Sequence, residues 1–278
     1  MSKKIGLFSN IIVLSFGSIF MIFPLLWTVS TSLKNPNETT YRELDLIPKI
    51  IAWENYIRIF ELVPLLTYSY NTMTIVIFSL FGGIFVCSLT GYVFAKIDFP
   101  GKNILFSLLL SSMMLPFVVQ MIPLFLMFDY FGMVNTFLPL TIPRLLAHNA
   151  FYIFLYRQVF KGYSNEIIEA AKIDGASDFR IWWKIILPTS IPILAAVAIF
   201  SFQYAWNDFL SPLIYLTGDE NKWTLALALN FMNSMEGEAS DINLLLAVAT
   251  LIIVPMLLMF SFSQNYILKG INITSGIK

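Results

Sequence analysis

The 278-residue sequence predicts an all-α membrane protein with six transmembrane helices and both termini in the cytoplasm, and three observations carry that expectation. Apolar residues make up 58% of the chain and charged residues 12%, at a mean hydropathy of +0.76, which leaves too little polar surface to cover a soluble core. Apolar runs of about 20 residues, the length that crosses a bilayer, recur along the chain. Basic residues concentrate on alternate loops.

In chain order the expected spans are Ile11 to Leu33, Ser69 to Ala95, Ile104 to Phe128, Phe137 to Tyr156, Ile191 to Leu216, and Asn243 to Leu268. The first run is too long for a secretory signal, and Thr31-Ser32-Leu33-Lys34 lacks a small-x-small cleavage pattern. The fourth is interrupted by Pro139, Pro143, Arg144, His148 and Asn149. The organisation expected is one membrane domain over 1–278. Within it, 1–68 hold the first span and an outer loop, 69–268 form a five-helix core with a cytoplasmic loop at 161–192, and 269–278 form a cytoplasmic tail.

Orientation follows from the charges. An inside amino terminus places Lys3, Lys4, Lys96, Lys102, Arg157, Lys161, Lys172, Arg180, Lys184, Lys269 and Lys278 inside, against Lys34, Arg42, Lys49, Arg58 and Lys222 outside. The acids run the other way, so zero net charge conceals a basic inner face and an acidic outer one, which argues against nucleic acid as a partner.

Catalytic signals are sparse. Cys87 lies within a span and His148 has no second histidine or cysteine to complete a metal set, so both are expected to be structural. Pro100-Gly101-Lys102-Asn103 fails the phosphate-loop pattern, because the leading glycine and the final Ser or Thr are missing. An intramembrane enzyme would need a matched nucleophile and base. A transporter driven by an ion gradient would ordinarily need more spans or an internal repeat.

Polar residues inside spans are expensive and need a reason. On a continuous fifth span, Ser201, Tyr204, Asp208 and Ser211 would share one helical face, and Gln203 and Asn207 an adjacent one. This surface could line a path, joined by Gln120 and Asn71, or it could hydrogen-bond other helices. Arg144 and Asp208 fall roughly 10 Å and roughly 12 Å below the outer ends of their spans by helical rise, so they are expected to pair and close the outer half of that path.

One polar island stands out, from Asn165 to Ser177. Ile167, Ile168, Ala170 and Ala171 beside Glu166, Glu169 and Lys172 suit a helix of about two turns, capped by Ser164 or Asn165 and stopped by a left-handed Gly175. Ala170 and Ala171 carry little bulk, so another protein could approach closely, while Glu169 and Asp174 offer carboxylates to it. Ser177 would cap a second helix, Asp178 to Leu187, with Phe179, Ile181, Trp182, Ile185 and Ile186 in the membrane interface and with Pro188 and Pro192 breaking it. The competing reading is an amphipathic helix lying on the bilayer.

Glu169-Ala170-Ala171-Lys172-Ile173-Asp174-Gly175-Ala176-Ser177 resembles the EAA loop of permease subunits of ATP-binding-cassette importers. The likeness extends over the chain: Pro24-Leu25-Leu26-Trp27, Thr31-Ser32-Leu33-Lys34, Gly91-Tyr92-Val93-Phe94-Ala95, Met113-Met114-Leu115-Pro116 and Trp206-Asn207-Asp208-Phe209-Leu210-Ser211-Pro212-Leu213 are similar to the second, smaller permease of maltose-type sugar importers. Tyr163-Ser164 departs from the Ile-Pro common in the family, and the end Gly270 to Lys278 departs from its Gly-Ala-Val-Lys.

The resemblance implies a type I importer permease fold in the plasma or inner membrane. It implies four kinds of partner: a second homologous permease, two ATP-binding subunits, an extracellular or periplasmic sugar-binding protein, and the sugar. ATP and magnesium would sit on the partner ATPase, with no cofactor on this chain. ATPase coupling would fall to Glu166, Glu169, Ala170, Ala171, Asp174, Gly175 and Ala176. The path or gate would use Asn71, Gln120, Arg144, Gln203, Tyr204, Asn207, Asp208 and Ser211. The outer loop from Thr217 to Asp241, with Trp223, Asn230, Met232, Asn233 and Met235, would meet the binding protein.

Overall fold

A computed structural model describes residues 2–38, 46–147, 149–232 and 241–275, and every regular element among them is helical. Arg42, His148, Asn233, Met235 and Lys278 lie outside the described residues. The helices are α1 (Ser2–Ser32), α2 (Asn55–Leu62), α3 (Leu65–Lys96), α4 (Lys102–Ser112), α5 (Phe117–Tyr130), α6 (Leu138–Leu145), α7 (Ala150–Lys161), α8 (Asn165–Ile173), α9 (Asp178–Thr189), α10 (Ile191–Trp206), α11 (Leu210–Tyr215), α12 (Leu225–Met232) and α13 (Ile242–Ser275).

Three stretches are long and apolar enough to cross a membrane: Asn10–Ser32, Leu65–Lys96 and Ile242–Gln264. The pairs α4 with α5 and α9 with α10 meet the same criterion only jointly, across bends of 101° and 86°. Three expected spans are therefore not continuous helices. The third breaks at Met113 to Pro116, because Pro116 has no N–H and pushes Leu115 out of helical geometry; Gln120 Nε2 donates to the Leu115 carbonyl at 2.8 Å. The fourth is two short helices. Ala147 takes a positive φ of 60°, and the Asn149 side chain accepts from the Phe151 amide at 3.1 Å to start α7. The fifth ends at Trp206, and Asp208 Oδ1 accepts from the Ser211 amide at 3.1 Å at the start of α11.

The chain divides into two compact units, one formed by 1–66 with 228–255 and the other by 67–227 with 256–278. In the first, a polar network is buried. Asn55 Nδ2 donates to the Ser32 and Lys34 carbonyls at 2.8 and 2.9 Å, its Oδ1 accepts from Asn243 Nδ2 at 3.3 Å, and the Ser32 and Tyr56 hydroxyls lie 2.6 Å apart. The apolar face of α1 between Ile11 and Phe23 stays exposed, as suits a helix whose solvent is lipid.

The core of the second unit lies where the end of α3 packs along α7. Cys87, Tyr92 and Phe94 meet Tyr152, Ile153, Tyr156 and Phe160, with Ile168, Ile181, Trp182 and Ile186 added from below. Lipid is as apolar as leucine, so close packing and hydrogen bonds hold such a core more than transfer from water does. Within α3, residues Gly82–Val86 form a π turn, a local widening that concentrates at functional sites. A Cβ on Gly82 would lie 1.9 Å from the Arg144 carbonyl oxygen, so only glycine permits this approach of α3 to α6.

Candidate functional site

Two features of the second unit carry candidate chemistry: the loop around α8, and a groove beside Asp208.

The α8 loop is built by local rules. Ser164 Oγ accepts from the Glu166 amide at 3.2 Å, and Ser177 Oγ accepts from the Arg180 amide at 3.3 Å, so a serine caps each helix start. Between them Gly175 takes φ +77°, its amide donates to the Lys172 carbonyl at 3.0 Å, and the Ala176 amide donates to the Ala171 carbonyl at 2.9 Å. This is the Schellman closure expected of a left-handed glycine stop.

Side-chain contacts lock the loop to the core. Lys96 Nζ donates to the Tyr163 carbonyl at 2.6 Å and to Asn165 Oδ1 at 2.8 Å. The Tyr163 and Ser190 hydroxyls are 3.0 Å apart, and Asp178 pairs with Lys172 at 3.0 Å while accepting from the Tyr92 hydroxyl at 3.4 Å. Ile168 and Ala171 turn inward and join the buried cluster that holds Tyr156, Phe160, Ile181 and Trp182. Burying an isoleucine-sized side chain in this way contributes about 1.5–3 kcal/mol.

The outward face is Glu166, Glu169, Ala170 and Ile173, at helical spacing, followed by exposed Asp174 and Gly175 and half-buried Ala176. Ala171 is thus not on the close-approach surface, a correction that follows from its i+3 relation to Ile168. A second correction concerns α9: Ile181, Trp182 and Ile186 are buried in the protein, and only Phe179 of the expected interfacial set is strongly exposed. Nor does Pro188 end that helix. It sits at the start of the turn after the π segment Trp182–Ile186, and the break falls at Ser190. Sequence reasoning missed Ile173, which is 87% exposed; its signal was an isoleucine in register with Glu166 and Glu169 rather than with Ile168.

The groove has a volume of about 660 Å³ and is lined by Asn149, Tyr152, Phe200, Gln203, Tyr204, Asn207 and Asp208, among others. Arg144 Nη2 forms a short ion pair with Asp208 Oδ2, and the Arg144 guanidinium carbon lies 5.0 Å from the Tyr204 ring centre. Arg144 Nη1 is buried with no hydrogen-bond partner among the described residues. Gln203, Tyr204, Asn207 and Asp208 therefore come together, whereas Ser211 is buried beyond the break and the expected continuous face from Ser201 to Ser211 does not exist.

Gln120 and Asn71 do not join this surface as expected. Gln120 is bonded at the α4–α5 break, and Asn71 Nδ2 donates to the Asn221 and Trp223 carbonyls at 2.7 and 2.9 Å, where it ties down the segment before α12. Trp223 is half-buried against Tyr68, Asn230 is exposed, and Met232 is buried, which removes Met232 from any contact surface. The aromatic and amide wall from Asn149, Phe151 and Phe200 was not anticipated, because the interruption at Asn149 read only as a weak span.

Residues 83–273 match the family model described as binding-protein-dependent transport system inner membrane component. The chain belongs to this family. The permease is 34% identical over 267 residues to the arabinooligosaccharides transport system permease protein AraQ of Halalkalibacterium halodurans, covering 95% of this chain and 94% of that one. It is 29% identical to the diacetylchitobiose uptake system permease protein NgcG of Streptomyces coelicolor, covering 92% and 84%. Its similarity to the sn-glycerol-3-phosphate transport system permease protein UgpE of Yersinia enterocolitica is 27% identity over 94% of both chains. In fold it matches a chain from the crystal structure of a bacterial ABC transporter involved in import of the acidic polysaccharide alginate, at a TM-score of 0.85 and 23% identity, covering 96% and 98%. The permease is accordingly a membrane-embedded transport component with the type I importer fold, and not an enzyme.

Proposed function

We propose that this permease is one of two membrane subunits of an ATP-driven, binding-protein-dependent sugar importer, and that the outward face of α8 couples it to the ATPase. The observation that carries the reading is the α8 loop: a small helix, capped by Ser164, closed by Gly175 and locked to the α3–α7 core, that presents Glu166, Glu169, Ala170 and Ile173 to the outside. Such a rigid element can transmit a push from a partner to the spans, as a flexible loop cannot.

In this account the chain crosses the membrane six times, with α6 and α7 together forming the fourth crossing, and both termini face the cytoplasm, as the distribution of lysine and arginine supports. Two ATP-binding subunits holding ATP and magnesium close beneath, one of them against α8. A sugar-binding protein delivers substrate to the outer loops, where Trp223 and Asn230 take part. The groove supplies this subunit's half of the path, with amides at Asn149, Gln203 and Asn207 and aromatic faces at Tyr152, Phe200 and Tyr204, a combination suited to hydroxyl-rich rings. The Arg144–Asp208 pair closes its outer half. Carbohydrate is favoured because named relatives carry arabinooligosaccharides and diacetylchitobiose.

The test is to purify the protein with its neighbouring subunits and measure ATP hydrolysis with the binding protein across a panel of saccharides. A nucleotide-binding subunit should co-purify, and a saccharide should raise its turnover. Transport by the chain alone in proteoliposomes without ATP would end the reading in favour of an ion-driven carrier.

A further inference from the structure

Where α3 ends at Lys96 and α4 begins at Lys102, a second pocket of about 550 Å³ gathers three cations, Lys102, Arg157 and Lys161, with a single carboxylate, Asp98. We propose that this pocket binds the headgroup of an anionic phospholipid through its phosphodiester.

Arg157 is fixed in place before any ligand arrives. Its Nε donates to the Phe94 carbonyl at 3.2 Å and its guanidinium carbon lies 3.8 Å from the ring centre of buried Phe106. Arginine has five N–H donors, so this arrangement leaves the two terminal nitrogens for a bidentate acceptor. Lys102 is only 16% exposed, yet the Asp98 it bonds at 3.0 Å is 99% exposed, so the carboxylate is solvated and neutralises little. The amides of Asn103 and Ile104, in the first turn of the 11-residue α4, have no carbonyl partner among the described residues, which adds donors for an anion at the same spot.

Two further features select a lipid over a soluble anion or an acidic protein. The pocket lies at the end of a helix long and apolar enough to cross the membrane, which sets it close to a membrane surface. It also opens onto an apolar stripe, Ile104, Leu105 and Leu108, which are 70%, 50% and 61% exposed and run down α4 toward the bilayer interior, where acyl chains would lie. Neither a free phosphate nor an acidic side chain needs that stripe.

The test is native mass spectrometry of the protein, purified with the subunits that accompany it, during titration with phosphatidylglycerol or phosphatidylcholine. A basic side chain near an anionic lipid is worth a factor of about five, so phosphatidylglycerol should be held about tenfold or more tightly than phosphatidylcholine. K161Q, at an exposed position, should reduce that preference severalfold, and K102Q/K161Q should reduce it further, to the part that Arg157 alone supplies. Equal retention of the two lipids by the unmodified protein would overturn the proposal, as would an unchanged preference in K102Q/K161Q. Displacement of bound phosphatidylglycerol by inorganic phosphate would do the same by marking a soluble-anion site. Loss of an accompanying subunit from K161Q with phosphatidylglycerol still retained would reassign the cations to a protein contact.

Discussion

Arg144 and Asp208 form an ion pair across 64 residues of sequence, with side chains only 7% and 11% exposed. Asp208 simultaneously caps α11 through the Ser211 amide, and Arg144, in the last turn of α6, sets its carbonyl against Gly82 of the α3 π turn. One ion pair thus fastens two helix breaks together beside the groove. Removing one partner strands a buried charge and is expected to cost about 3–5 kcal/mol, whereas removing both costs much less than the sum. A double-mutant cycle of Arg144→Ala and Asp208→Ala, read in thermal stability and transport, checks this. Additive effects would show that the charges act independently and would leave Asp208 open to contact with substrate in the groove.

Ala170 and Ala171 are adjacent in sequence but should respond differently to the same substitution. Ala170→Asp places a carboxylate on the exposed face and is expected to leave folding intact while weakening whatever docks there. Ala171→Asp buries a charge in the cluster that holds Tyr156 and Trp182, which costs several kcal/mol on the order of a buried polar group left unpaired, and the protein should be lost from the membrane. Membrane yield of the two variants separates them.

How much of this was legible in the sequence depended on how local the cause was. Ser164, Gly175 and Ser177 act within a turn or two of themselves, so their caps and stop could be read directly. Arg144 and Asp208 are two isolated opposite charges in apolar runs, and helical rise alone put them at one depth. The direction of Ala171 was not legible, because Ala170 and Ala171 differ only in which one lies three residues from Ile168, and the sequence does not say which side meets the core. The breaks at Pro116 and Asn207 were absorbed into the long apolar runs around them: hydropathy reports burial in lipid or protein alike and does not report helix continuity. The Asn55–Asn243 contact joins residues 188 positions apart and left no local trace.

Gly175 should tolerate little. Its left-handed backbone costs other L-residues about 1–2 kcal/mol, so Gly175→Ala should destabilise the loop by that order. Gly175→Pro should be worse, since it fixes φ near −65° and deletes the amide bonded to Lys172. Faster limited proteolysis at residues 173–177, graded from alanine to proline, is the expected readout.

Asn71 restrains the segment ahead of α12 by donating to two carbonyls at once. Asn71→Ala should cost about 1–3 kcal/mol by removing the two donations to the Asn221 and Trp223 carbonyls, and Asn71→Asp should be worse because a carboxylate cannot donate to either. Hydrogen exchange over residues 219–225 should rise in both variants, and more in the aspartate.

Site-directed cross-linking decides whether the ATPase engages the outward face of α8. Single cysteines at Ala170 and Ile173, in a chain with Cys87 replaced by alanine, are treated with a short thiol-to-amine reagent in membranes holding the assembled complex. Both positions should cross-link to the ATP-binding subunit, and the yield should change between nucleotide-free and ATP-bound states. If neither position reaches that subunit while a cysteine on another loop does, the ATPase engages elsewhere and the coupling assignment of α8 is wrong.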